Sequence, residues 1–256
     1  MFAGERIRKI KELLLEYHEI DVNTLCTVLS ASVSTVRRDL DKLEMEGFLK
    51  RTHGGAILVD GLNNSDVEPL LEVCDDVLSV AALAAKMIVD GDQIFLGGGS
   101  ICRAIASYLR ESKWSGTVIT NSIDVINELK NTEVAMIIIG GRVVVQGTKF
   151  VTDSQESVEE LRNYVVNKAF ISVTGFNEQH GFFGDSSVQA DIYKVLKENA
   201  LDVFVVVTED KYQQIGMVRL GGMDMFKKII TNVNIPDGFK KYCMENGITL
   251  YTSFAR

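Results

Sequence analysis

Two groups of residues in this chain have types and spacings suited to chemistry. The first is Ser32, Ser34, Thr35, Arg37, Arg38 and Lys42, hydroxyls and cations within one short stretch. On a helix of ~100° per residue, Val36, Leu40 and Leu43 fall on one narrow stripe. Ser34 and Arg38 fall opposite, and Thr35, Arg37 and Lys42 flank them. An apolar back and a basic, hydroxyl-bearing front fit the major groove of double-stranded DNA. Arginine there reads guanine O6 and N7, and hydroxyls bind phosphates or bases. The following FLKRTHGGAIL alternates briefly and carries Lys50, Arg51 and His53, which reads as a wing lying on the phosphate backbone.

The second group sits where apolar runs end. These ends are Leu96-Gly97-Gly98-Gly99-Ser100, Thr120-Asn121-Ser122, Gly140-Gly141-Arg142, Thr174-Gly175 and Thr208-Glu209-Asp210-Lys211. In open parallel sheets, ligands bind beyond the carboxyl ends of strands, near a topological switch. Glycines before a helix start leave backbone N–H groups free to surround an anion. Gly98, Gly99 and Ser100 are therefore the expected anion cradle, with Lys211 supplying positive charge. Thr120 and Asn121 are expected to bind hydroxyls, and Gly140, Gly141 and Thr174 line the same end of the sheet. A small anionic, hydroxyl-rich metabolite such as a sugar phosphate suits that set. For any one glycine pair the alternative is a plain tight turn. The cluster matches neither G-x-G-x-x-G nor a Walker lysine loop, so nucleotide binding has little support.

The elements that position these groups follow from periodicity. Ile7, Ile10, Leu14 and Tyr17 recur at helical spacing, predicting a helix over Ala3–Tyr17. Asp21 is the expected N-cap of a short second helix with Leu25, Val28 and Leu29 turned inward. A third helix runs Val33–Glu46 and stops at Gly47. VDGLNNSDVEP has no apolar period and Pro69 forbids a continuous helix, so a linker covers 58–75 between a head at 1–57 and a body at 76–256. The body alternates strands and helices. Expected strands are Gln93–Leu96, Thr117–Thr120, Ala135–Ile139, Lys168–Val173, Val203–Val207, Lys228–Thr231 and Thr249–Thr252. Expected helices are Asp76–Val89, Ile101–Glu111, Ile123–Lys130, Gln155–Val165, Ser187–Asn199 and Asp237–Asn246. Runs such as AMIIIG and VFVVVT suit a sheet covered on both faces. The expected fold is thus an all-α winged helix-turn-helix head followed by an α/β domain with a mostly parallel sheet.

Charge distribution agrees with this division. The chain has 256 residues and net charge −8, yet residues 1–57 carry nine acidic and nine basic side chains, and the rest carries the whole excess. A neutral head whose cations share one face is compatible with DNA; the acidic body is not. Cys26, Cys74, Cys102 and Cys243 form no C-x-x-C, so no metal cage and no cofactor is expected. The N-terminus has charges where a signal peptide is apolar, and no run is long enough to span a membrane. The expected location is the cytoplasm.

The stretch S-x-S-T-V-R-R-D-L-x-x-L-E-x-x-G-x-L-x-R-x-H-G-G-A resembles the DNA-binding head of DeoR-family bacterial transcription regulators. Ser32, Ser34 through Leu40, Leu43, Glu44, Gly47, Leu49, Arg51 and His53-Gly54-Gly55-Ala56 carry the match. The body stretches D-G-D-x-I-F-L-G-G-G-S, V-I-T-N-S, I-I-G-G, K-A-F-I and E-D-K resemble, more loosely, the effector domain of that family, itself similar to ribose-5-phosphate isomerase and CoA transferases. The resemblance implies a repressor of a carbohydrate-metabolism operon, binding operator DNA, sensing a phosphorylated sugar or related metabolite, and assembling as a dimer or tetramer. The chain departs from the family at Gly97 and Gly98, Thr174, Gln189, Tyr193 and Thr208–Lys211. In the isomerases, carboxylates at comparable places move protons, and a threonine cannot act as that base near neutral pH. A regulator rather than an enzyme is expected; the rival is an isomerase-like sugar-phosphate enzyme with a fused helical head.

Overall fold

A computed structural model describes residues 3–17, 19–29, 31–45, 48–52, 54–58, 75–146 and 149–253. The chain divides into two compact units, residues 1–74 and 75–256. The linker expected over 58–75 lies almost wholly outside the described residues.

The first unit runs α1 (Ala3–Tyr17), β1 (Glu19–Asp21), α2 (Val22–Leu29), α3 (Val33–Met45), β2 (Leu49–Arg51) and β3 (Gly55–Leu58). Its core is the expected stripe. Ile7, Ile10, Leu14, Leu25, Leu29, Val36, Leu40 and Leu43 are all buried, joined by Phe48, Leu49 and Ala56. Two expected inward residues are not inward. Val28 and Tyr17 are exposed, because each falls on the outer edge of its helix's apolar arc. Asp21 caps α2 as expected: its Oδ1 accepts the N–H groups of Asn23 at 2.9 Å and Thr24 at 3.0 Å. Those bonds hold the Asp21 carboxyl below its ordinary range, the Thr24 hydroxyl contributing most.

The head also contains a small antiparallel sheet in the order β1-β3-β2. The sequence reading places no strand before α2, since three residues are too few to show a period of two. β1 exists because β3 pairs with it, Asp21 opposite Gly55. A Cβ at Gly55 would come within 2.8 Å of the Asp21 Cα, so only glycine allows that approach. On the other side Arg6 of α1 grips Asp39 of α3 through two bonds of 2.8 and 3.3 Å, with both side chains largely shielded.

The second unit runs α4 (Asp75–Ala85), β4 (Gln93–Leu96), α5 (Ser100–Glu111), β5 (Thr117–Thr120), α6 (Ile123–Leu129), β6 (Ala135–Ile138), β7 (Val143–Gln146) and β8 (Lys149–Thr152). It continues with α7 (Gln155–Leu161), β9 (Val166–Ser172), β10 (Gly175–Asn177), β11 (Gly181–Gly184), α8 (Ser187–Asn199), β12 (Ala200–Val206), β13 (Val218–Gly221), β14 (Lys228–Asn232), α9 (Asp237–Glu245) and β15 (Thr249–Ser253). Seven strands form one all-parallel sheet in the order β15-β14-β12-β9-β4-β5-β6. All seven were expected, each within a few residues of its observed bounds. Helices cover the sheet, and its largest apolar cluster gathers Phe95, Ile119, Ala169, Ile171 and Val205 against Val158, Leu161, Ile192 and Leu196. Two small additions were not expected: the hairpin β7–β8, and the antiparallel sheet β10-β11-β13. Their strands are only three or four residues long, and those of the β10-β11-β13 sheet each contain glycine.

The buried stripe of α3 predicts a separable failure of the two units. Val36→Asp places an unpaired charge in the head's core, a loss on the order of 3 kcal/mol or more. Helical signal from the head should melt at lower temperature in far-ultraviolet circular dichroism. The fluorescence transition of Trp114, the single tryptophan, reports the body and should stay where it is. An unchanged helical transition would mean that Val36 does not anchor α3.

Candidate functional site

The front of α3 is built as a contact surface. Ser32, Ser34, Arg37, Arg38 and Lys42 are exposed and Thr35 is half-buried. The Ser32 hydroxyl lies 2.8 Å from the Thr35 hydroxyl and 3.0 Å from that of Ser34, and accepts the Thr35 N–H at 3.3 Å. Ser32 is thus the N-cap of α3, and three hydroxyls cluster where the helix's positive end faces outward. Arg37 and Arg38 have no ion-pair partner among the described residues. Arg51 behaves differently. Its guanidinium pairs with Asp41 and its backbone N–H donates to Glu44 at 2.8 Å, so the wing is pinned to the end of α3. His53 lies outside the described residues.

In the body, the chain leaves β4 towards β5 and β6 on one side and later returns to β9 on the other. The switch point is therefore between β4 and β9, and the Gly97–Gly99 turn sits on it. The Gly97 N–H donates to the Phe170 carbonyl at 3.0 Å. The Ser172 hydroxyl donates to the Gly98 carbonyl at 2.7 Å. Gly99 has φ +121°, and a Cβ there would lie 2.7 Å from the Ser172 hydroxyl, so glycine is required twice over. No side chain caps α5, which leaves its first-turn N–H groups unspent. By contrast Ser122 caps α6 and Ser186 caps α8.

The hairpin β7–β8 closes over this turn. A Cβ on Gly98 would meet Val151 at 2.6 Å. The pocket beside Gly98 is lined by Asn121, Lys149, Asp153, Asp185, Ser186 and Gln189, among others. Lys149 reaches Asp185 at 3.3 Å. Ser186 donates to Asp153 at 2.9 Å. Below them, the Tyr193 hydroxyl donates to the Ser172 carbonyl at 2.6 Å and accepts from Gln189 at 3.0 Å, while Gln189 accepts the Asp185 N–H at 2.9 Å. Burial pushes the Tyr193 hydroxyl pKa far up. Under the glycines, Cys102 is fully buried and its thiol is pushed up to about 12, also by burial; it is a small core residue with no reactive thiolate.

The expected pocket residues thus divide. Gly98 and Asn121 line the pocket; Gly99 and Ser100 open α5 beside it. Thr120 is fully buried, donating to the Leu96 carbonyl at 2.6 Å and accepting the Ser122 N–H at 3.0 Å, so it clamps two strand ends and has no hydroxyl to offer a ligand. Gly140 spends its N–H on Glu160 at 2.6 Å. Gly141 has φ +123° and is a turn beside Ser154. Thr174 has a buried hydroxyl without a hydrogen-bond partner among the described residues, packed under Gly216, and it does not line the pocket. Lys211 pairs with Asp210 at 2.7 Å and does not line the pocket; its place beside Gly98 is taken by Lys149. Sequence reasoning missed Lys149, Asp153, Asp185 and Ser186. The alternation V-V-V-Q and K-F-V-T around Gly147-Thr148 is a hairpin signal that would have brought Lys149 over the glycines.

The pattern of the DeoR C terminal sensor domain matches residues 77–233, and that of the DeoR-like helix-turn-helix domain matches residues 6–61. This chain belongs to the DeoR family. It is a DNA-binding transcriptional regulator, as the head's resemblance implied. The HTH-type transcriptional regulator IolR of Bacillus subtilis (strain 168) is 28% identical over 253 residues, covering 96% of this chain and 98% of its own. The lactose phosphotransferase system repressor of Lactococcus lactis subsp. lactis is 29% identical over 219 residues, covering 84% and 85%. The solved ribose 5-phosphate isomerase A of Methanocaldococcus jannaschii is 22% identical, with a TM-score of 0.38 over 53% of each chain. Among the described residues of this DeoR-family regulator, no helix is long and apolar enough to cross a membrane, and no group of three His, Cys, Asp or Glu could hold a metal ion.

Two substitutions separate reading from capping on α3. Arg38→Ala should lose about 1–3 kcal/mol of operator affinity and relax preference at one base pair. Ser32→Ala should instead lower head stability by about 1 kcal/mol, with a smaller loss of affinity. Operator titration beside thermal melting distinguishes them. Unchanged operator affinity in Arg38→Ala would show that the helix is presented the other way round.

Proposed function

We infer that this protein is a cytoplasmic repressor of a carbohydrate-metabolism operon, controlled by a small anionic, hydroxyl-bearing metabolite of the sugar-phosphate class. The observation that carries this is the uncapped start of α5 behind Gly97–Gly99, at the switch point, with Lys149 beside it. An anionic group set there meets unspent N–H groups, the positive end of the helix and one mobile ammonium. Asn121, Ser186, Asp153 and Asp185 are the groups that would hold hydroxyls. For the head, Ser32, Ser34, Thr35, Arg37, Arg38 and Lys42 form the operator-facing surface. The repressor name of the Lactococcus relative supports the direction of regulation and the sugar-linked operon.

A non-catalytic role is supported by chemistry. Thr174 is no base, its hydroxyl is turned away under Gly216, and the amide of Gln189 is tied between Asp185 and Tyr193. Two heads are needed because one short helix reads few base pairs and the body is acidic. The protein is read as a homo-oligomer, dimer or tetramer, on half-sites spaced by multiples of ~10 bp.

The test is an operator titration with a panel of sugar phosphates and their parent sugars, with thermal shift measured in parallel. A ligand that binds the folded state raises the melting temperature, and at ~100 times its Kd adds about 2.7 kcal/mol. Gly99→Val and Lys149→Ala should abolish or weaken both the shift and the operator response, leaving operator binding itself intact. Lys211→Ala should behave as the parent. If no compound shifts the protein, the pocket is not a metabolite site. Turnover of any phosphosugar would favour the isomerase-like reading instead.

A further inference from the structure

The hairpin β7–β8 is joined to its two neighbours in different ways. Towards β5 and α6 it is held chiefly through its backbone. The Thr152 N–H donates to the Asn121 carbonyl at 2.8 Å and the Phe150 N–H to Asp124 at 3.1 Å, and the Thr152 hydroxyl donates to the Ile139 carbonyl at 2.7 Å. Towards the start of α8, across the pocket, it is held through side chains. Lys149 reaches Asp185 at 3.3 Å, and the Ser186 hydroxyl donates to Asp153 at 2.9 Å. Among the described residues no backbone–backbone bond crosses that seam. The Lys149 and Asp185 side chains are 32% and 34% exposed, so water competes for their pair. The space left between the two walls is about 20 Å³, room for about one water molecule and not for a phosphate group.

We propose that the seam between β8 and the start of α8 is a latch, closed in this structure, that parts to admit the effector. The effector's anionic group takes Lys149 from Asp185 while it lies against the uncapped start of α5. Its hydroxyls take the places that the seam gives up on Asp153, Asp185 and Ser186. Each group released by opening is thus met by one that the ligand brings: an anion for the ammonium, hydroxyls for the carboxylates. Side-chain pairs can exchange partners in this way without any loss of backbone bonds, so the hairpin keeps its hold on β5 and α6. The floor does not move either, because Tyr193 and Gln189 stay bonded to the Ser172 carbonyl. The proposal deepens the reading of this pocket as the effector site and rests on it.

The experiment has two arms, both on the full chain. In hydrogen–deuterium exchange without ligand, Asp185→Asn and Ser186→Ala should each speed exchange of the amides of β8 about threefold or more, while β4 and β5 exchange as in the parent. Exchange unchanged in both variants overturns the latch. In calorimetric titration with inorganic phosphate as the probe, a covalent lock tests the opening. Asp153→Cys with Ser186→Cys sets two thiols across the seam. Oxidised, this variant should bind no phosphate; reduced with dithiothreitol, it should bind, with the parent carried through both treatments. Equal binding in the two forms overturns the latch and leaves the effector site standing. Should the disulfide not form, Ser186→Ala decides. It removes no charge, and easier opening should tighten phosphate binding about threefold, whereas a fixed pocket leaves it unchanged or weaker. No phosphate bound by the parent, with exchange still responding, overturns the effector site itself.

Discussion

The contact between Ser172 and the Gly97–Gly99 turn is the constraint on which the body's site depends. β4 and β9 are neighbours in space but far apart in sequence, and they part at their carboxyl ends. Ser172, the last residue of β9, holds the Gly98 carbonyl at 2.7 Å and would collide with any side chain on Gly99. Gly97 closes the same junction from the other strand by bonding to Phe170. The Gly98 carbonyl and the Gly97 N–H are both spent on β9, so the amide groups left unspent at this junction are those of the uncapped start of α5. Tyr193 and Gln189 brace the Ser172 carbonyl from below, so the whole crossing is tied to α8. A rigid floor of this kind is what a binding site needs, because loop-borne groups are only as precise as their supports.

The head solves a different problem with few charges. Its cations and carboxylates balance, so attraction to DNA depends on where each cation is spent. Arg6 is committed to Asp39 between α1 and α3, and Arg51 to Asp41 at the wing. Lys11 is buried with its ammonium over the Phe48 ring. These cations hold the fold together and take no part in the outer field. Arg37, Arg38 and Lys42 on α3, and Lys50 on the wing, stay on the surface. Each such cation set against a phosphate releases about one counterion, so operator affinity should fall steeply with salt.

How much of this could be read from residues alone follows from the length of each signal. Buried parallel strands carry short continuous apolar runs, such as Ile94–Leu96, Ala169–Ile171 and Val203–Val207, and the helices between them carry several turns of period, so the sheet was legible to within a few residues. The apolar stripe of α3 was legible for the same reason. What was lost is what non-local contacts create. β1 has three residues and exists through β3. Lys149 reaches the glycines only because the hairpin folds back over them, while Lys211, closer to the expected motif, finds Asp210 beside it. Thr120 illustrates the limit: a hydroxyl at a strand end is as useful for clamping the neighbouring strand as for holding a ligand, and only the Leu96 carbonyl decides between them.

A sensor must also connect its strand ends to the place where the chain enters the body. Asn232, at the end of β14 and almost wholly buried, makes that connection. Its side-chain oxygen accepts the Glu209 N–H at 2.8 Å; its amide nitrogen donates to the Glu209 carboxylate and to Asp76 at 3.3 Å. Asp76 stands in the first turn of α4, where the body begins. Glu209 opens the short turn Glu209–Lys211 that follows β12. Burial, with Asp76 and Asp210 adding to it, raises the Glu209 pKa, and the two N–H groups of the Asn232 amide serve the two carboxylates, Glu209 and Asp76. Displacing the Glu209 turn would strip the buried Asn232 amide of its two bonds to Glu209 and leave the one to Asp76, at a cost of about 1–3 kcal/mol. That is the range in which allosteric coupling energies fall, roughly 1–3 kcal/mol. This bond network ties the carboxyl end of the sheet to the first turn of α4, where the body begins.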